Sequence, residues 1–246
     1  MTHLHVFPDN PSFVNGSAEF ITAVAATAIA EHGRFTIALS GGGTPKPIYA
    51  RLAMPDYRDR IAWEKVHIFF GDERCVPPDD RRSNYRMVYE AWLGRSPIPA
   101  ENVHRIHGED DPALEALRYA EEIARLCRSA AFPAFDLILL GLGDNGHTAS
   151  LFPGTAALRE KERLVVAQYV EVTATWRVTF TAPLINAARH VAFLVEGVGK
   201  AQMLWNVIEG PYQPDAWPSQ LIQPVSGELQ WLVDAAAAAK VKAERR

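Results

Sequence analysis

FTIALSGGGTPKPIYARL, residues 35–52, reads as a buried strand, a glycine-rich turn and the start of a helix, in that order. Phe35 to Leu39 is apolar but for Thr36, as suits a strand covered on both faces. Ser40-Gly41-Gly42-Gly43-Thr44 breaks the run, and Pro45 suits the first turn of a helix reaching Leu52, because its fixed φ is helical and its missing N–H would be unpaired there anyway. Strand, tight turn and helix make half of a βαβ unit, so the expectation is parallel strands joined by crossover helices.

The flanking sequence continues the pattern. Upstream, a strand at His3 to Phe7 precedes a helix from about Ser12 to Glu31, with Phe20, Val24 and Ala28 on one face and Gly33 as its stop. Downstream, a strand at Val66 to Phe70 ends in Gly71-Asp72-Glu73-Arg74. Pro77-Pro78-Asp79-Asp80 then forms a surface loop, and Ser83 caps a helix through Leu93. Asp111-Pro112 is a cap and first-turn pair for a helix with Leu114, Leu117, Ala120, Ala124 and Cys127 inward, leading to an apolar strand at Phe135 to Leu140. Further strands are expected at Arg163 to Val170, Val178 to Thr181, Val191 to Glu196 and Leu229 to Val233, with a helix from Lys200 to Glu209 and an alanine-rich final helix. No repeat or linker interrupts the chain. The reading is one domain, 1–246, of the α/β class: a Rossmann-like doubly wound, mainly parallel sheet with helices on both faces.

Composition narrows the function classes. With 246 residues, 48% hydrophobic and 22% charged, the chain can bury a full core. The net charge of -4 is spread along the sequence, which argues against nucleic-acid and anionic-membrane partners. The apolar runs Phe135 to Leu140 and Val191 to Val195 are too short to cross a bilayer. Two cysteines, Cys75 and Cys127, and an N-terminus without a secretory pattern imply a cytoplasmic location. The expected state is a monomer or small homo-oligomer, which nothing in the chain decides between.

In parallel sheets, ligands bind beyond the carboxyl ends of the strands, and three such loops hold nearly all the candidate residues. The first is Ser40 to Thr44, where glycines let backbone amides approach an anion and two hydroxyls add donors. It lacks the lysine of a Walker A loop and does not match GxGxxG, so no nucleotide cofactor is implied; a ligand-free turn is the competing reading. The second is Gly71 to Arg74, where Arg74 can fork onto a phosphate and Asp72 can orient it or a substrate hydroxyl. A solvated ion pair is the alternative there. The third is Gly141 to Thr148, which sets His147 in a glycine-rich loop after a buried strand, a place suited to proton transfer. His3, His5, His104 and His107 read as surface or interface residues without a metal-ligand pattern, and Cys75 as a bystander.

Read together, LSGGGTP at 39–45, FFGDERCVP at 69–77 with SNYRM at 83–87, LLGLGDNGHTASLFPGT at 139–155, Trp176-Arg177-Val178-Thr179 with Pro183-Leu184-Ile185-Asn186, and FLVEGVGK at 193–200 resemble the 6-phosphogluconolactonase family and its wider sugar-phosphate isomerase superfamily, from about Phe35 onward. The resemblance implies hydrolysis of 6-phosphogluconolactone to 6-phosphogluconate in the oxidative pentose phosphate pathway, with a small sugar-phosphate lactone as the only partner and neither metal nor cofactor. It implies that His147 activates water, and that Arg74, Arg177 and Lys200 hold the phosphate with the Ser40–Thr44 loop. The family usually reads Asp-Gly-His where this chain has Asn145-Gly146-His147, with the acid one place earlier at Asp144. The orienter of His147 is therefore Asn145 as a neutral acceptor or Asp144 as a substitute, and the expected catalytic group is His147, Asp144, Asn145 and Arg74. Two rivals share the fold: an amino-sugar-phosphate isomerase or deaminase, which resembles DGHIAFNEP at this loop and needs a carboxylate that residues 148–158 lack, and a non-catalytic sugar-phosphate sensor.

Overall fold

The structure, a computed structural model, describes residues 1–127 and 132–242. In chain order it runs β1 (Thr2–Phe7), α1 (Asn10–His32), β2 (Phe35–Leu39), α2 (Pro45–Leu52), α3 (Pro55–Arg58), β3 (Val66–Phe70), β4 (Asp72–Arg74), α4 (Asn84–Ala91), α5 (Pro112–Leu126), β5 (Leu137–Gly141), β6 (Val165–Val170), β7 (Thr175–Phe180), α6 (Ala182–Asn186), β8 (His190–Val195), α7 (Ala201–Ile208) and β9 (Glu228–Asp234). Six strands form one sheet in the order β1-β9-β8-β5-β2-β3, with every neighbouring pair parallel. From β2 the chain goes first to β3 on one side and later to β5 on the other. The loops leaving β2 and β5 therefore diverge at their carboxyl ends and open a crevice, as expected at a topological switch point.

The expectation of a mainly parallel α/β sheet holds, with one addition. β4, β7 and β6 leave the parallel layer and build a separate antiparallel sheet, in which Arg74 lies opposite Arg177 and Gln168 opposite Arg177 on the other side. The turn from Glu171 to Thr173 that joins β6 and β7 is too short for a parallel crossover, so those two strands can only pair as a hairpin.

Local signals explain most element boundaries. The Asp9 carboxylate accepts the Ser12 amide at 2.8 Å and caps α1; Asp111 does the same for Ala113 and Leu114 at 3.0 Å, capping α5; Ser83 Oγ accepts the Arg86 amide at 3.1 Å in α4. Three details differ from the sequence reading. In α5, Leu114 and Leu117 are 67% and 60% exposed and Ala124 is exposed, while Glu115, Ala116, Tyr119 and Ile123 face inward. The helix turns this way because the Tyr119 hydroxyl accepts the Phe70 amide at 2.8 Å and Glu115 accepts the His107 amide at 2.7 Å, bonds the leucines cannot replace. In α1 the inward face likewise carries Ile21 and Ala25, with Phe20 and Val24 half-buried. Among the described residues the alanine-rich tail forms a short 3-10 turn, Ala237–Lys240, and no longer helix.

α1 is also, by length and composition, apolar enough to span a bilayer, which the inspection of short runs overlooked. In the fold it packs on β1, β2 and β9 and buries Phe13, Ala18 and Ile21 beneath it. Its hydropathy is that of a core helix.

Candidate active site

A cavity of about 220 Å³ opens at the carboxyl ends of β2, β3, β5 and β8, lined by residues 40–45, Asp72, Arg74, Asn84, His147, Arg177 and Lys200 among others. Five separate stretches of sequence thus converge on one space. The Ser40 to Thr44 turn is fixed from below by Tyr49 of α2, whose hydroxyl accepts the Ser40 amide at 3.1 Å and donates to the Ser40 carbonyl at 2.8 Å. Gly42 has φ +101, a conformation that a side chain would strain, so the turn presents bare backbone to the cavity.

His147 is half-buried, its ring stacked on Phe152 with centroids 4.0 Å apart and planes 15° apart. Its Nδ1 lies 2.6 Å from Asn145 Oδ1, and its backbone amide donates to the same oxygen at 3.3 Å. An oxygen that already takes an amide N–H is an acceptor, so Nδ1 carries the ring proton and the Nε2 lone pair is left free. Burial, and after it the positive charges of Arg177 and Lys200 set against Asp72, pulls the His147 pKa down to about 4. Gly143 makes room for this ring: a Cβ there would stand 2.0 Å from His147 Nδ1. Ala149, two residues on, has φ +47, a left-handed conformation costing about 1–2 kcal/mol for a non-glycine residue.

Asp144 does not orient His147. It forms an ion pair with Lys200 across the rim, and that hydrogen bond is the first cause holding its carboxyl below the usual range. One step along the turn separates the two outcomes: Asn145 points to the ring, while the Asp144 side chain is 90% exposed and, among the described residues, reaches only the lysine.

The small sheet contributes the charges. Arg74 and Arg177 sit directly opposite each other on β4 and β7, an arrangement of like charges that is unfavourable unless an anion or counter-charge lies between them. Asp72 supplies part of that charge, with Oδ2 3.7 Å from Arg177 Nη1 and 2.6 Å from Ser150 Oγ. Burial lowers the Arg177 pKa against the pull of Asp72, with Arg74 adding to the lowering, and its buried Nε has no partner among the described residues. The guanidinium also lies over the Phe152 ring, 5.4 Å from its centroid, on a ring shared with His147.

The arrangement is a cationic, amide-lined pocket beside a neutral imidazole, and comparison with known proteins places it. Residues 8–231 match the family described as glucosamine-6-phosphate isomerases/6-phosphogluconolactonase. The chain belongs to this family. A 6-phosphogluconolactonase of Nostoc sp. is 45% identical over 241 residues, covering 97% of this chain and 98% of that protein. One of Synechocystis sp. is 48% identical over 217 residues, covering 87% and 88%. The solved 6-phosphogluconolactonase of Trypanosoma brucei superposes with a TM-score of 0.86 at 27% identity, over 98% of this chain and 99% of that one. The likeness therefore begins well before Phe35, where the motifs start.

Within this isomerase/lactonase fold, sequence reasoning left out one polar residue of the cavity, Asn84, and one buried behind it, Ser150. Asn84 donates from Nδ2 to Asp72 Oδ1 at 3.1 Å and accepts from Arg74 through Oδ1, so it holds both charged residues in place. Its signal was its place behind the Ser83 cap in SNYRM. Ser150, fully buried, is the other. Glu73 turns away from the cavity: its carboxylate accepts from the Arg74, Asn84 and Tyr85 amides at 2.7, 2.8 and 2.8 Å and from Ser83 Oγ at 2.9 Å, fastening α4 to β4. Burial raises its pKa against those bonds.

Two of the remaining histidines differ from the sequence expectation. His104 is buried, bonded to Glu122 at 2.8 Å and to His67 at 3.1 Å. His107 does have acids near it in space, with Asp110 and Glu115 offering ligand atoms within 4.8 Å of one another, but Glu115 is already held by Arg118 at 2.6 Å. Burial pushes the Cys75 thiol up to about 11, so it is a thiol and no nucleophile at neutral pH.

Proposed function

We propose that the protein hydrolyses 6-phosphogluconolactone to 6-phosphogluconate, with His147 as general base. The observation that carries this reading is the His147 pairing: Asn145 Oδ1 accepts a hydrogen bond from Nδ1–H, which leaves Nε2 with its lone pair beside a cavity built for an anion. Lactonase names on relatives at 45% and 48% identity support the substrate.

The phosphate dianion is held by the Ser40–Thr44 amides, Lys200, Arg177 and Arg74, with Asp72 keeping Arg177 in place. Its arrival displaces Asp144 from Lys200, an exposed pair worth about 0–1 kcal/mol that yields readily to a dianion. It also neutralises the cations that depress the His147 pKa, bringing the base nearer the working pH in the complex. Nε2 then takes a proton from water as the oxygen attacks the lactone carbonyl carbon. The tetrahedral intermediate collapses with cleavage of the bond from that carbon to the ring oxygen, and the imidazolium returns the proton to the departing alkoxide. The acid formed ionises and releases one proton to solvent. A δ-lactone is activated enough that general-base help of about 10²–10⁴, added to positioning, suffices without a covalent intermediate.

The amino-sugar rival must move a proton between adjacent carbons, and residues 148–158 offer no carboxylate for it. The deciding experiment follows proton release with a pH indicator on fresh 6-phosphogluconolactone, comparing wild type, His147→Ala and a chelator-treated sample. Fast release that survives chelation and is lost in the variant is expected. Release no faster than spontaneous hydrolysis in the wild type would reject the reading.

A further inference from the structure

Ser150 stands three residues after His147, and every polar atom it owns is taken by the small sheet. Its amide donates to Thr179 Oγ1 at 3.1 Å, its carbonyl accepts Gln168 Nε2 at 3.0 Å, and its hydroxyl donates to Asp72 Oδ2 at 2.6 Å while lying 3.5 Å from Arg177 Nη1. Asp72 belongs to β4, Gln168 to β6, and Thr179 and Arg177 to β7, so one buried residue touches all three strands. The segment it anchors leaves β5 of the parallel sheet and carries His147. Between the two lies Ala149, held at φ +47 on the cavity wall. A non-glycine residue keeps such a conformation only where its surroundings over-determine it: the Leu151 amide closes the turn on the Thr148 carbonyl at 2.9 Å, and Ser150 ties that turn to the small sheet. Just beyond, Phe152 lies between His147 and Arg177, touching both.

We propose that Ser150 is a positioning residue. It locks the loop that carries the base against the sheet that carries the anion-binding arginine, and so sets the separation between Nε2 and the carbon it must serve. The inference rests on the reading of His147 as base and Arg177 as phosphate ligand. Its chemistry is that of a spacer: no proton of Ser150 takes part in the reaction.

The test measures kcat and KM for the lactone, affinity for 6-phosphogluconate by calorimetry, and Tm, in Ser150→Ala, Ala149→Gly, the double variant, and Thr179→Val. Misplacement of the base by a fraction of an ångström to about 1 Å gives a kcat loss of about 10–100-fold in Ser150→Ala, with 6-phosphogluconate affinity within about threefold of wild type. Ala149→Gly alone keeps near-wild-type kcat, because glycine accepts the left-handed conformation without strain. In the double variant that glycine restores at least about fivefold of the kcat lost in Ser150→Ala, a rescue that a merely structural role does not produce. Thr179→Val, nearly isosteric, removes the acceptor of the Ser150 amide and lowers kcat in the same direction; it decides the matter if Ser150→Ala does not fold.

Wild-type kcat in both Ser150→Ala and Thr179→Val, beside an inactive His147→Ala, overturns the Ser150 assignment alone. A kcat loss matched by an equal loss of affinity and not restored by the glycine overturns it too. Full activity in His147→Ala overturns the base reading and this inference with it.

Discussion

The site is assembled from two sheets that contribute different materials. The parallel sheet gives backbone: a glycine-rich turn after β2, and after β5 a second one whose Gly143 makes space for a ring. The antiparallel sheet gives charge: Asp72, Arg74 and Arg177 on two paired strands. The difference is physical. Carboxyl-terminal turns of parallel strands can place amides but leave long side chains mobile, whereas an antiparallel ladder fixes side chains opposite one another at set spacing. The loop that carries His147 joins the two; on the proposed reading the parallel sheet places the base, and the anion is shared between its amides with Lys200 and the arginines of the small sheet.

Substitutions can break that division. The largest effect is expected for Gly143→Ala, whose Cβ would stand 2.0 Å from His147 Nδ1 and displace the ring. A kcat fall of about 10²-fold with KM little changed is expected in steady-state assays, and a pure KM effect would dissolve the distinction. Next, Arg177→Lys keeps a counter-charge for Asp72 but loses the planar fork. KM should rise about tenfold and kcat stay within about threefold. A kcat loss without a change in KM would mean the small sheet does more than bind.

Asn145→Asp sharpens the comparison through pH. With its pKa held to about 4 by burial, His147 is neutral at and above neutral pH, so kcat/KM should be flat there and fall as pH drops through about 4. Because this folded value lies below the unfolded one, about 6.5, the stability gained by keeping the ring neutral is present above pH 6.5 or so and lost as pH falls through about 4. A carboxylate beside Nδ1 favours the charged ring, so the acid limb of kcat/KM should move up by about one unit or more in the variant. A pH–rate profile that does not move would detach Asn145 from the base. The smallest effect belongs to Asp144→Asn, which frees Lys200 of an exposed partner and should tighten 6-phosphogluconate binding by about two- to fivefold in calorimetry, the range of a surface ion pair.

Much of this was legible in the chain because it is local. β2, β3 and α2 fall on the residues their patterns mark, and the caps at Asp111 and Ser83 are short-range hydrogen bonds written within three residues. The cavity residues Ser40 to Thr44, Asp72, Arg74, His147, Arg177 and Lys200 were named as a set and do line one space. What failed depends on partners far away in sequence. The inward face of α5 is chosen by Phe70 and His107, which its own apolar periodicity cannot see. Ser150 is an unremarked residue in a loop until Asp72, Gln168 and Thr179 come to it from 78, 18 and 29 residues away.

The choice between Asn145 and Asp144 shows where the boundary runs. By itself the sequence determined that an acid and an amide precede His147, that glycines flank them, and that cations stand ready elsewhere, since residue types and short-range backbone freedom are properties of the chain. Only the tertiary structure decided that the amide meets the ring and the acid meets Lys200, because one residue's turn of the backbone, held by the Gly143–His147 and Gly146–Gly143 bonds and by Ser219 on the Gly146 carbonyl, sends neighbouring side chains to opposite partners.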